Sequence, residues 1–205
     1  MRKITSLSRT LPAMFGAGAL AIGISSAADA TVISGSSSSY AESINLTTSL
    51  LGVVTGTITS GPAPTAAGTA PPPYSVSNSL LSLNVGIPGL ATITAGILTA
   101  SAASNVDGTA GSKTTSASAS VANLAATVLN LLEADATVIG SNAAVSGDYG
   151  ALSATGGSNI LGLTVLGNTI NVTGAANQSV LPLLLNPLGI SITLNEQSTT
   201  GNGIS

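Results

Sequence analysis

The sequence predicts an all-β fold: an antiparallel β-sandwich, with a β-solenoid as the alternative. Three observations predict it. Small and β-branched side chains alternate loosely at period two, which puts successive residues on opposite faces of a strand. Gly, Pro and Asn turn signals interrupt the runs at short intervals. Many short strands between such turns point to a sandwich, while the uniformly small residues keep the solenoid open. Charged residues make up only 5% of the chain, against a usual ~25%. That alone would suggest a membrane protein, but Ser and Thr are spread throughout and no long apolar run follows the N-terminus.

Residues 1–30 read as a signal-peptide helix. Arg2, Lys3 and Arg9 form a basic region, Leu11 to Ile24 an apolar one, and Ala28-Asp29-Ala30 matches a small-x-small cleavage site. The apolar part is too short and Gly-rich to span ~30 Å of hydrocarbon. Cleavage after Ala30 removes 30 of the 205 residues. It also removes three of four cations and one of seven acids, leaving Lys113 against six acids. Residues 31–205 then read as a single all-β domain, expected to be cut short at its C-terminus.

This composition excludes several chemistries. No Cys or His is present, so a Ser-His-Asp triad, a cysteine nucleophile and the usual zinc sites are absent. One lysine cannot neutralise a phosphate backbone, so no nucleic-acid partner is expected. No membrane span is expected in the mature chain, and so few cations do not suit anionic lipid. Disulfides cannot hold an exported domain without cysteine, but its length allows a core without them.

The elements follow in order. Val53 to Thr59 is β-branched everywhere except Gly56, which suits a strand. Gly61 to Pro73 holds five prolines and reads as a loop excursion or crossover. Tyr74 to Val85 alternates, and Pro88-Gly89 turns the chain. Ala91 to Ala103 follows, with Ile93, Ala95 and Ile97 on one face. Asn105 to Gly108 is a turn, and Lys113 to Ala122 alternates Thr/Ser with Ala as a strand would. Val121 to Ile139 fits a helix stripe in part, but strand, or two strands with a bend, is favoured. Gly147 to Gly150 is a turn. Ile160 to Val172 reads as a hairpin turning at Gly167-Asn168. Ile190 to Glu196 is a last strand, and Asn202-Gly203 signals a hairpin whose second arm begins at Ile204.

No catalytic, cofactor-binding or metal-binding residue is assigned, and no cofactor is expected. Four stretches come nearest to a site. Gly108 to Thr114 resembles a phosphate loop but has Ser112 between Gly111 and Lys113, so it reads as a polar turn. Lys113 could serve a Ser-Lys dyad; the preferred reading is a lone exposed lysine that keeps a sheet edge soluble. Glu133 and Asp135 would share a strand face about 6.5–7 Å apart, a spacing open to a glycosidase. A solvated strand face is preferred there, because the chain holds few aromatics. Asn105 and Asp107 could face calcium, but too few oxygen ligands lie nearby. A further reading takes exposed threonine rows, such as Thr55, Thr57 and Thr59, as a glycan- or ice-binding surface.

The last third carries a recognisable pattern. Gly156-Gly-Ser-Asn-Ile-Leu-Gly-Leu-Thr-Val-Leu-Gly leads through Asn177-Gln-Ser-Val180 to Thr193-Leu-Asn-Glu-Gln197, with Leu-Leu-Glu-Ala-Asp-Ala-Thr-Val upstream at 131–138. Together these resemble the choice-of-anchor P family of bacterial exported surface proteins, over roughly Ser116 to Gln197. The resemblance implies sorting to the cell surface, not an activity. With the missing catalytic chemistry beside it, the function expected is a non-catalytic structural or interaction domain at the cell surface or in the extracellular matrix, with cell-envelope or matrix partners. The resemblance also implies a further strand and an anchor beyond Gln197. It supplies no site residues.

Overall fold

The computed structural model describes residues 9–10, 31–50, 53–128, 132–175, 177–185, 190–194, 199–200 and 203–204. The expected signal segment lies outside these residues apart from Arg9–Thr10, which pair in parallel with Ile190–Ser191. The fold is nearly all β, with antiparallel sheets that do not close into a barrel. It is sandwich-like, as the sequence predicts.

β1 (Gly35–Leu50) and β2 (Val53–Ala70) form one long hairpin. Here the structure corrects the loop reading of Gly61–Pro73. β2 runs on through Pro62 and Pro64 to Ala70, and only Pro71–Pro73 lie outside a strand. A proline removes a ladder bond only where its N–H would face a partner, and β2 has β1 as its one partner in this sheet. A bulge supplies the rest. Glu42 pairs with Ala63 and Ile44 with Ser60, so Ser43 faces both Gly61 and Pro62. Gly61 takes a positive φ of 83° there.

The chain then runs back and forth through one nine-stranded sheet among the described residues. Its strands are β3 (Tyr74–Leu80), β4 (Leu83–Ile87), β5 (Ala91–Ala95), β6 (Leu98–Ser104), β7 (Lys113–Val128), β8 (Leu132–Gly147), β9 (Ser153–Leu161), β10 (Thr164–Val165) and β11 (Asn168–Thr169). Strands β7 and β8 run the sheet's full length. The others are half-strands set end to end: β6 pairs with one end of β7 and β5 with the other, while β9 and β10 divide β8. Consecutive antiparallel neighbours make a meander, not the coil-on-coil stacking of a solenoid. The ambiguous Val121–Ile139 stretch is strand on both sides of residues 129–131, as favoured.

A seam crosses this sheet. Leu80, Leu98, Val121, Ile139 and Ile160 stand in one register row over five strands. On every strand the next inward residue lies three positions away instead of two: Leu83, Ala95, Leu124, Ala136 and Leu163. Asn123 and Gly162 sit in the step with φ of 51° and 63°. Across it, Gly96 N donates to Ala122 O (2.8 Å) and Ala122 N to Ile97 O (2.9 Å). Because the step shifts parity, Ile97 is exposed and Leu98 fully buried. Ile97 thus leaves the face it would share with Ile93 and Ala95 at strict period two, both of which are buried.

The seam divides the sheet into two halves. On one side the inward residues are small: Ala100, Ala102, Ala117 and Ala119, with Ser104 and Thr115. The hairpin lies over this half, against β3, β6 and β7. Ser37 Oγ donates to Ser116 O and Ser39 Oγ to Ser101 O, both at 2.8 Å. A serine can reach a backbone carbonyl of the opposite layer only where the layers approach well inside the usual ~10 Å. Gly68 permits this, since a Cβ there would stand 2.3 Å from the Tyr74 ring.

On the other side larger inward residues, Leu83, Ile93, Val128, Leu132, Leu163 and Val165, stand beside Ala91, Ala95 and Ala136. The hairpin's Ile58 and the C-terminal Val180 and Leu185 pack with them. Leu185 ends the helical turn α1 (Pro182–Leu185). The β10–β11 turn is Leu166-Gly167, one residue earlier than read from sequence. Both residues have positive φ (51° and 72°), the geometry of a type I′ hairpin. Past α1 the described part of the expected last strand is Ile190–Ser191 and Thr193–Leu194, while Asn195 and Glu196 lie outside the described residues. Thr199–Thr200 pair with Gly203–Ile204, so the final hairpin forms with its second arm beginning at Gly203, one residue earlier than read from sequence.

Candidate functional site

The small-residue half has an outer face that no layer covers among the described residues. Period two puts Ala inward and Ser or Thr outward on β6 and β7, and the register aligns them. One row across five strands reads Ser79, Thr99, Ser120, Gly140, Asn159. The next reads Ser77, Ser101, Ser118, Asn142, Gly157. Neighbouring hydroxyls join within the rows: Thr99 Oγ1 to Ser120 Oγ at 2.8 Å, Ser101 Oγ to Ser118 Oγ at 2.7 Å. Every residue of both rows is exposed or half-buried.

Strand geometry sets the spacings of this face, about 4.8 Å between strands and about 6.7 Å along them. No charged side chain stands in either row. Each hydroxyl both donates and accepts. The face can therefore match a repeating array of hydroxyls or ordered water, and it offers no acid, base or activated nucleophile.

The threonine rows named from sequence lie elsewhere. Thr57 and Thr59 are exposed on the outer face of β2, while the side chain of Thr55 is outside the described residues. The signal for the larger face was legible in the Thr/Ser–Ala alternation after Lys113. What the sequence withheld was the register that lines those hydroxyls up across five strands.

The charged candidates lie apart from this face. Glu133 and Asp135 do share one face of β8, opposite Thr127 and Ala125 on β7. Asp135 also faces Thr164 on β10. These register neighbours are too short to wall a cleft around the pair.

Lys113 is not the exposed lysine read from sequence. It is 7% exposed. Its Nζ donates to Asp107 Oδ1 at 2.5 Å and to Thr109 Oγ1 at 3.1 Å. Thr109 N and Oγ1 also donate to Asp107 Oδ1. Lys113 first, and then Thr109, hold the Asp107 carboxyl well below the usual carboxylate range. Asn105 Oδ1 accepts from Thr114 N. The loop is thus a pinned polar turn, as expected of Gly108–Thr114, and its lysine is committed to a carboxylate. Among the described residues no group of three or more metal-ligating side chains comes together.

Sequence reasoning missed Glu42. It is 2% exposed, at the hairpin bulge. Ser60 Oγ donates to its Oε1 at 3.1 Å, while Oε2 is buried without a partner among the described residues. Burial raises its carboxyl above the ordinary value and the Ser60 bond only partly opposes this. No local pattern marked it, since the bulge that buries it depends on pairing with Gly61–Ala63. A void of about 10 Å³ lies between Ala41 and the strands bearing Val121 and Ile139. That is room for one water at most.

No family model, curated protein or solved structure matches this chain. Among the described residues, no helix is long and apolar enough to cross a membrane.

Proposed function

We propose that this is a non-catalytic exported domain, at the cell surface or in the extracellular matrix, that works as a structural or interaction module. The observation that carries the reading is the uncharged outer face, with its hydroxyl rows in register over five strands. Export rests on the order of basic, apolar and small residues in segment 1–30. The resemblance to the choice-of-anchor P family adds a cell-surface setting. The regular spacing favours one kind of partner within this reading: a repetitive hydroxylated solid such as an insoluble polysaccharide, or ice.

Adsorption tests the reading. Ser77 and Asn142 are both exposed in one row. Replacing both with Arg should abolish adsorption to the binding polysaccharide, or ice shaping, while leaving the fold intact. If the wild type adsorbs to no cell-envelope polysaccharide, matrix preparation or ice, the interaction reading fails. Mass spectrometry of the exported protein should find Thr31 at its N-terminus; an intact Met1 would overturn export with cleavage.

A further inference from the structure

We propose that the outer face binds an uncharged polysaccharide through the C–H faces of its sugar rings, laid along an aliphatic row on the seam. This rests on the reading of that face as a binding surface, and it names the class of ligand. The row is Leu81, Ile97, Ala122, Val138 and Leu161. Val138 pairs with both Ala122 and Leu161. Ala122 N donates to Ile97 O, and Leu81 and Ile97 lie next to the Leu80–Leu98 pair. Each member stands two positions along the chain from a member of the Ser79–Asn159 row, so strand parity puts both rows on the outer face. Leu81 is 78% exposed, Ile97 53% and Leu161 52%. Ala122 and Val138 are half-buried. Apolar side chains scattered singly over a surface are ordinary. Here three of the five large exposed ones among the described residues fall in a single row.

The seam creates the row. Its extra residue leaves two positions on every strand between one inward side chain and the next. One of the two is the aliphatic member. The other is Ser82, Gly96, Asn123, Thr137 or Gly162, of which Ser82, Asn123 and Thr137 are exposed. The glycines leave space for these polar groups: a Cβ at Gly162 would collide with Thr137 Oγ1, and one at Gly96 would stand 3.4 Å from Asn123 Nδ2. The stripe is therefore one side chain wide. It has the Ser79–Asn159 row along one side and hydroxyl and amide groups along the other. No charged side chain stands in it or in either flank.

That pattern selects the occupant. A pyranose ring with equatorial substituents is a flat body with C–H faces and polar edges. A chain of such rings laid on the stripe buries its C–H faces against Leu81, Ile97, Val138 and Leu161. Its edge hydroxyls then meet groups on both flanks that can donate and accept. Five strands span about 19 Å at the usual strand spacing, room for a few rings in line. A stable protein partner needs about 800 Å² on each side, more than a stripe of this width supplies. Ice has no C–H face to set against the aliphatic row.

Co-sedimentation with cellulose and with chitin particles, whose rings carry their substituents equatorially, tests it. The wild type should adsorb to at least one of the two. Ile97→Val with Leu161→Val and Ile97→Thr with Leu161→Thr both keep β-branched residues in the row, and they differ from each other only by hydroxyl for methyl. The Thr pair should bind roughly tenfold more weakly than the Val pair. Circular dichroism of each variant checks that the fold is kept. Equal binding by the two pairs overturns the inference and leaves the hydroxyl-face reading standing. A wild type that adsorbs to neither particle also overturns it. Adsorption to ice or to a matrix preparation would then show that the reading stands without it, and adsorption to nothing would overturn both.

Discussion

The two halves of the long sheet share strands β7 and β8 but are held to their covering layers by different means. In the aliphatic half, Leu, Ile and Val from several segments meet, each contributing roughly 1.5–3 kcal/mol on burial. In the small-residue half, Ala, Gly and Ser let the hairpin come close enough for Ser37 and Ser39 to bond the backbone of the sheet. Ser37 Oγ has one proton, given to Ser116 O, so Tyr74 O–H donates to Ser37 at 2.8 Å. The comparison teaches that a layer can dock by apolar volume or by close approach with directed hydrogen bonds. The two modes respond to mutation in opposite directions.

The largest effect is expected at the seam. Leu98 is fully buried, and Leu98→Ala should cost about 2–5 kcal/mol in urea unfolding, since it leaves a cavity. In the small half the damaging change is enlargement. Ala102 is 1% exposed, and Ala102→Leu should cost about 1–3 kcal/mol by forcing the hairpin away. An Ala102→Leu protein as stable as wild type would show that the layers do not meet closely there. Ser39→Ala comes next, at about 1 kcal/mol, for the loss of its bond to Ser101 O.

A smaller effect depends on pH, with two carboxyls pulling in opposite directions. Glu42 has a raised value when folded, so its share of stability is full below the ordinary 4.5 and is lost as pH rises through the folded value. Asp107 has a lowered value, so its share is present above the ordinary 3.8 and is lost as pH falls through the folded value. Their combined contribution should therefore peak near pH 4. Glu42→Gln should flatten the alkaline side of a urea-midpoint profile and leave the acid side unchanged; a slope that persists would move its cause away from Glu42. The smallest effect is expected on the outer face, where Ser77→Arg with Asn142→Arg should change stability by less than about 0.5 kcal/mol. That result would separate the working surface from both docking modes.

Much of the element order was legible because it rests on local chemistry. Turns at Pro88-Gly89 and Asn105–Gly108 follow from Gly and Pro backbone preferences. The strand after Lys113 follows from its Thr/Ser–Ala alternation. The misreadings share one cause. Pro62 and Pro64 stay in a strand because of how β2 pairs, and Ile97 faces out because of the seam. Lys113 is buried because the loop returns Asp107 to it. Each depends on a partner that local pattern cannot name.

By itself the sequence determined the all-β class, several of the turns and the low charge of both layers, since these follow from side-chain type and period. Only the tertiary structure decided which residues share a face across strands. Parity along a strand reverses wherever one extra residue enters, and here it enters five strands at the same level. The aligned hydroxyl rows and the buried Glu42 both follow from strand pairing, and pairing is a property of residues far apart in the chain.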